Sequence, residues 1–275
     1  MEPYLIITDI DGTLAVDHQH VSPRTVAALN RCMDQGNIFF VATGRMYALA
    51  KIIANQVGPR AGVIGSNGAV YDFGGKRVHH VLGETALRAV NEITESHGLT
   101  AFYFTDDTVY YTKTPPTFVA DALRVFDKGL TVEVKEVGTL ENLLAHKDAI
   151  TNGIVISPRD SFGLKRSMNE LDASGLLHVS ASNTDNMELI PKGIDKATAI
   201  QELQKLTGIP AERTIAFGDG MNDRGMLQVA GISVAMANAV AAVKHIAKYE
   251  TDSNTEDGIA KFLERYFNLP QAHVN

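Results

Sequence analysis

Tyr4-Leu5-Ile6-Ile7-Thr8-Asp9-Ile10-Asp11-Gly12-Thr13 is the stretch on which the fold turns. An apolar run of strand length ends abruptly in two carboxylates and a glycine, which reads as a buried strand with acids at its carboxyl end. The pattern recurs at Thr214-Ile215-Ala216-Phe217-Gly218-Asp219-Gly220-Met221-Asn222-Asp223. In an open α/β sheet, ligands collect outside the carboxyl ends of parallel strands, so two such clusters can meet although far apart in sequence. A hard cation belongs in that place.

Outward from the first stretch, Ser22-Pro23 caps a helical pattern through Val26, Leu29 and Met33 that ends at Gly36, and Ile38 to Ala42 forms the next strand. A helix from about Met46 to Val57 and a strand at Gly62-Val63-Ile64-Gly65 follow, with Asn67-Gly68 as a turn signal; the parallel arrangement continues. From about Gly83 the texture changes. A helix through Leu87, Val90 and Ile93 leads to two β-rich runs, Ala101 to Thr105 and Thr108 to Thr112, which Asp106-Asp107 joins as an antiparallel hairpin. A helix near 118–126, strands near Val132, Gly153 to Ser157, Leu177 and Met187, and a helix near 162–171 complete a separate α+β module. After Pro191 the first texture returns: helix Lys196 to Leu206, strand Thr214 to Phe217, helix near Asp223 to Val229, strand Ile232 to Ala235, and helices on each side of Tyr249. The expected fold is α/β, a Rossmann-like parallel-sheet core at 1–80 and 188–275 with an inserted α+β cap at 81–187.

The 275 residues, 45% hydrophobic, are enough for one large or two ordinary domains. The net charge of -7 and the absence of a basic run argue against a nucleic-acid surface. A single cysteine, Cys32, excludes an intramolecular disulfide and a cysteine-based zinc site. With no leader pattern and no apolar run of membrane-spanning length, a soluble cytoplasmic protein is expected.

Side chains i and i+2 of an extended chain point to one side, so Asp9 and Asp11 are expected to converge, and two such carboxylates repel unless a cation or a shared proton stabilises them. A calcium loop counted from Asp9 fails, because its sixth position is Leu14 and its twelfth is His20. A dinucleotide loop at Gly218-x-Gly220 fails as well, because its third glycine position is Asp223. Mg2+ suits a few carboxylates joined by waters and phosphate oxygens. Thr43, between a strand and a helix, can hold phosphate or simply cap the helix. Lys196 opens a helix, where a cation opposes the dipole, and this suits a phosphate-neutralising role; Lys192 in the same loop is its rival. His18 and His20 read as surface, and Arg45 is suggestive but reads equally as a solvated helix residue.

Asp9-Ile10-Asp11-Gly12-Thr13, Ala42-Thr43-Gly44-Arg45, Lys196 and Gly218-Asp219-Gly220-Met221-Asn222-Asp223 resemble, in order and spacing, the four motifs of the haloacid dehalogenase-like hydrolases. The resemblance is to the Cof-type phosphatases, whose cap lies between the second and third motifs. Ser66-Asn67-Gly68-Ala69, Pro191 to Lys196, Val234-Ala235-Met236-Ala237-Asn238-Ala239 and Glu256-Asp257-Gly258 support it, whereas Arg224 and Ala237 depart from the usual texture.

The resemblance implies a magnesium-dependent phosphatase of small phosphorylated metabolites, such as sugar phosphates or phosphorylated cofactors, that works through an aspartyl phosphate. In it Asp9 is the nucleophile and Asp11 the acid and base. Mg2+ is held by Asp9, by the backbone carbonyl of Asp11 and by Asp219, with Asp223 ligating or supporting. Ile10, Thr43, Gly44, Lys196 and Asn222 contact the substrate, and the family pattern selects Lys196 over Lys192. A phosphomutase or phosphotransferase using the same aspartyl phosphate, and a phosphometabolite sensor of weak turnover, are the alternative readings.

Overall fold

Leu5–Thr8 (β1) is apolar on both faces because it lies at the centre of a sheet, and all four residues are buried. The computed structural model describes residues 2–113, 132–157, 159–181 and 184–270. It divides into two units, one of 1–45, 50–77 and 195–275, the other of 46–49 and 78–194. The sequence boundaries at 80/81 and 187/188 differ from that division by three and seven residues, and the assignment of 46–49 to the second unit has no sequence signal.

In the first unit β1 pairs in parallel with Ile38–Ala42 (β2) on one side and Thr214–Gly218 on the other, with Thr8 opposite Val41 and Phe217. Beyond β2 come Gly62–Gly65 (β3), Val70–Phe73 (β4) and Lys76–His79 (β5). β4 runs antiparallel to β3. The expected parallel run therefore stops at β3: the tight turn at Ser66–Gly68 reverses the chain, with Ser66 and Asn67 both at positive φ. At the other edge Ile232–Met236 and the short strand Tyr249–Thr251 extend the sheet in parallel. That last strand was not foreseen; its three residues, two of them exposed, carry too little pattern.

Helices cover the sheet for reasons written in their ends. Pro23–Asp34 (α1) has Ser22 as N-cap, accepting from the Thr25 amide, and Pro23 at its first position. The helix Lys196–Thr207 starts from a capping box between Asp195 and Thr198 and stops at Gly208 in the left-handed conformation. Tyr47–Val57 (α2) begins a little later than its sequence pattern.

The second unit has a six-stranded sheet. The hairpin Ala101–Phe104 (β6) and Thr108–Tyr111 (β7) is antiparallel, as its pattern requires. Glu133–Glu136 (β8) joins β7 in parallel, and Asn152–Ile156 (β9), Leu177–Ser180 (β10) and Asn186–Pro191 (β11) complete the order β10-β11-β9-β6-β7-β8. Gly83–Ser96 (α3) and Ser161–Ser174 pack in one core with these strands through Leu87, Val90, Leu164, Leu171 and Tyr103. A short helix lies between β8 and β9 at Leu140–Leu144 (α4), so Ser161–Ser174 is α5 and Lys196–Thr207 is α6. Likewise Thr214–Gly218 is β12, Ile232–Met236 is β13 and Tyr249–Thr251 is β14. The expected helix at 118–126 falls outside the described residues.

Candidate active site

The carboxyl ends of β12, β1 and β2 are neighbours, so the segments that follow them must share one end of the sheet. Asp9 continues from β1, its amide donating to the Phe217 carbonyl at 3.0 Å. Asp219 follows β12 by one residue, and Thr43 follows β2 by one.

Two sides of the sheet end meet at one buried ammonium. Lys196, the first residue of α6, is 2% exposed. Its Nζ donates to Asp9 Oδ1 at 2.6 Å and to Asp223 Oδ1 at 2.7 Å. The other oxygen of Asp223 accepts the Asp219 and Gly220 amides at 3.0 and 3.1 Å. Asp223 thus ties the lysine to the loop that carries Asp219. A helix-opening cation has no dipole rationale, and these two carboxylates supply the missing one.

Asp9, Asp219 and Asp223 each offer an oxygen within 4.8 Å of the others. Three carboxylates face one lysine, an excess of negative charge in a buried place. Burial, then Asp223, push the Asp9 carboxyl up to about 8 against the opposing pull of Lys196. Burial also raises Asp219, although the Thr13 hydroxyl, donating to Asp219 Oδ1 at 2.6 Å, pulls the other way. For Lys196, burial pulls its pKa down, but Asp223 and Asp9 outweigh it and the net shift is upward. An all-oxygen donor set that is short of positive charge fits a hard cation such as Mg2+.

Asp11 stands outside this group. The i, i+2 argument holds only for an extended chain, and the chain stops being extended at Thr8: the Ile10 carbonyl accepts the amides of Thr13, Leu14 and Ala15. The Asp11 carboxylate instead meets Arg45, which donates from Nε at 2.9 Å and from Nη2 at 2.5 Å, and His18, whose Nδ1 lies 2.8 Å away. Burial raises the pKa of this carboxyl, yet the hydrogen bonds from Arg45 and His18 win and leave it below the ordinary range. Gly12 then makes the turn at φ +78°, and a Cβ there would overlap the Asp219 carboxylate, so only glycine lets the two loops come this close.

The remaining expected residues are less engaged. Ile10 is fully buried, and its side chain belongs to the core. Thr43 is buried, and its hydroxyl accepts the Arg45 amide at 3.2 Å. That bond closes a turn ahead of α2, so Thr43 is not the helix cap that the sequence left open. Gly44 lies against the side chain of Asn67. Asn222 is exposed beside Gly220. Sequence reasoning undervalued Arg45 and His18, and it passed over Thr13 and Asn238. Thr13 stood inside the quoted stretch; Asn238, whose Nδ2 donates to the Gly12 carbonyl at 2.7 Å, had only its place in a supporting motif.

Residues 6–263 match the haloacid dehalogenase-like hydrolase family, and the chain belongs to it. It is a phosphoric monoester hydrolase of the Cof type. It is 32% identical to the 5-amino-6-(5-phospho-D-ribitylamino)uracil phosphatase YitU of Bacillus subtilis, over 98% of this chain and 99% of that one. It is 27% identical to YcsE, a phosphatase of the same name from the same organism, over 95% of each chain. A haloacid dehalogenase-like hydrolase from Bacteroides thetaiotaomicron superposes with a TM-score of 0.83 at 27% identity, covering 97% of this chain and all of the other. Among the described residues, no helix is long and apolar enough to cross a membrane.

Proposed function

We propose that the chain is a Mg2+-dependent phosphatase of small phosphorylated metabolites that turns over through an aspartyl phosphate on Asp9. The observation that carries this reading is the buried group in which Lys196 joins Asp9 to Asp223 while Asp219 stands alongside. The side chains of Asp9 and Asp219, with the Asp11 backbone carbonyl, would hold the metal. Both Asp223 oxygens are engaged by Lys196 and two amides, so Asp223 serves by positioning. A bound Mg2+ supplies positive charge that lets an anionic phosphate approach an anionic nucleophile.

A carboxylate oxygen of Asp9 attacks phosphorus; the bond from phosphorus to the ester oxygen breaks, and Asp11, once released from Arg45 and protonated, gives the departing alcohol its proton. Water then attacks the phosphoryl group on Asp9 and passes its proton to Asp11; the acyl phosphate bond breaks, and phosphate leaves. Lys196 fixes the Asp9 carboxylate and offsets charge on the transferring group. Thr43, the Gly44 amide and Asn222 are assigned to phosphate oxygens, and the second unit to choosing the alcohol.

Likeness to YitU and YcsE along the whole chain makes 5-amino-6-(5-phospho-D-ribitylamino)uracil the first ester to try. The test is phosphate release from that compound and from a panel of sugar phosphates, with Mg2+ or EDTA, in wild type and Asp9→Asn. Mg2+-dependent release that Asp9→Asn abolishes is expected. Release that survives Asp9→Asn, or transfer to an added sugar without free phosphate, refutes the reading.

A further inference from the structure

The segment from Asp11 to Ser22 carries the proposed acid and base yet has no regular structure; two isolated bridges, Asp11 to Ala15 and Ala15 to Val21, are its own pairing. Side chains from the other end of the chain hold it. Asn238 Nδ2 donates to the Gly12 carbonyl at 2.7 Å, and Asn254 Nδ2 to the Ala15 carbonyl at 2.8 Å. Ser22 Oγ donates to Asp257 Oδ1 at 2.5 Å.

Asn238 differs from the other two in what else its turn touches. It follows β13, and two residues on, the Val240 amide donates to the carbonyl of Asp219 at 3.1 Å. One short turn therefore grips both acid-bearing loops, the first through the Asn238 carboxamide and the second through a backbone amide. Its grip lies beside the place where Gly12 abuts the Asp219 carboxylate and the Thr13 hydroxyl bonds it at 2.6 Å. The Asn238 Oδ1 in turn accepts the Asn254 amide at 3.2 Å, which fixes the orientation of the carboxamide.

We propose that Asn238 is a positioning residue that sets the spacing between the loop of Asp9 to Gly12 and the loop of Asp219, and through it the affinity of the carboxylate group for Mg2+. The inference rests on the reading of Asp9 and Asp219 as metal ligands. The side chains of Asn254 and Asp257 hold the same segment farther along, at Ala15 and Ser22, and are supports of the fold alone; Asn254→Ala keeps the backbone amide that orients Asn238.

The experiment is Mg2+ binding to the full-length protein by isothermal titration calorimetry, with no substrate present, alongside melting in EDTA. Asn238→Ala should weaken Mg2+ binding about fivefold, the order expected when one hydrogen bond that holds a site is lost. Asn254→Ala should lower the melting temperature while leaving Mg2+ affinity within about twofold of wild type. If Asn238→Ala does not fold, Asn238→Ser, whose hydroxyl is too short to reach Gly12, gives the same reading. Unchanged Mg2+ affinity in a folded Asn238 variant overturns the inference, as does equal weakening by Asn254→Ala or a wild type that takes up no Mg2+. Wild type that binds Mg2+ but releases phosphate from no ester counts against the phosphatase reading alone.

Discussion

Replacing Lys196 by Met keeps the apolar stem and removes the ammonium that joins Asp9 to Asp223. All three side chains are buried: the lysine is 2% exposed, Asp9 6% and Asp223 1%. Loss of one partner from a buried ion pair costs about 3–5 kcal/mol, because the remaining charge has neither water nor a partner. Here two carboxylates lose the ammonium, but Asp223 keeps the Asp219 and Gly220 amides and the pair can take up a proton, so the lower half of that range applies at alkaline pH and less at acid pH. For a domain of this size about 3 kcal/mol corresponds to roughly 10 °C in melting temperature. Calorimetry in EDTA at pH 8 and pH 5 should therefore show a large deficit for Lys196→Met at pH 8 that shrinks at pH 5. Added Mg2+ should recover part of it at pH 8, since a divalent cation replaces the missing charge. A melting temperature within about 2 °C of wild type at pH 8 would refute the argument, as would the same deficit at both pH values.

The raised pKa of Asp9 makes the metal-free wild type sensitive to pH. The carboxyl lies near 8 when folded and at an ordinary 3.8 when unfolded, so between those values the native state holds a proton that the unfolded state has released, and stability falls as pH rises. Urea unfolding in EDTA at pH 5, 6.5 and 8 should show that decline and saturating Mg2+ should flatten it; stability that rises over this window contradicts the account. Arg45→Met should move the alkaline limb of kcat against pH to higher pH for alkyl phosphates, because the guanidinium that holds the Asp11 carboxyl down is gone, and leave the profile for p-nitrophenyl phosphate in place, because its leaving group needs no proton. An unmoved limb for the alkyl esters, or the same shift on both, would mean that Arg45 does not act through Asp11.

The parts of this molecule that repeat a local pattern could be read from the chain. β1, β2, β12 and β13 are short apolar runs, α1 and α6 announce their starts with Ser22-Pro23 and Asp195, and the acids fall just beyond strand ends. What could not be read depends on partners far away. The reversal after β3 hangs on two left-handed residues in one turn, and β14 is three residues laid on an edge. Asp11 was drawn towards Asp9 by a rule for extended chains, yet the Ile10 carbonyl collects three amides and turns it to Arg45. Asn238 is an ordinary loop asparagine until its bond to Gly12, 226 positions away, is seen.

The pairing of β1 with β12 puts Leu5 beside Thr214, and this has a consequence for the order in which the protein is made. At about 5–20 residues per second, a ribosome needs on the order of ten to forty seconds between those two strands. Throughout that interval one edge of the buried strand β1 has no neighbour, whereas the six-stranded sheet has its last strand by Pro191, before β12 is made. Nascent chains halted before β12 should hold a folded second unit and a first unit that still recruits chaperones, and catalytic competence should arrive in one step near the end of translation.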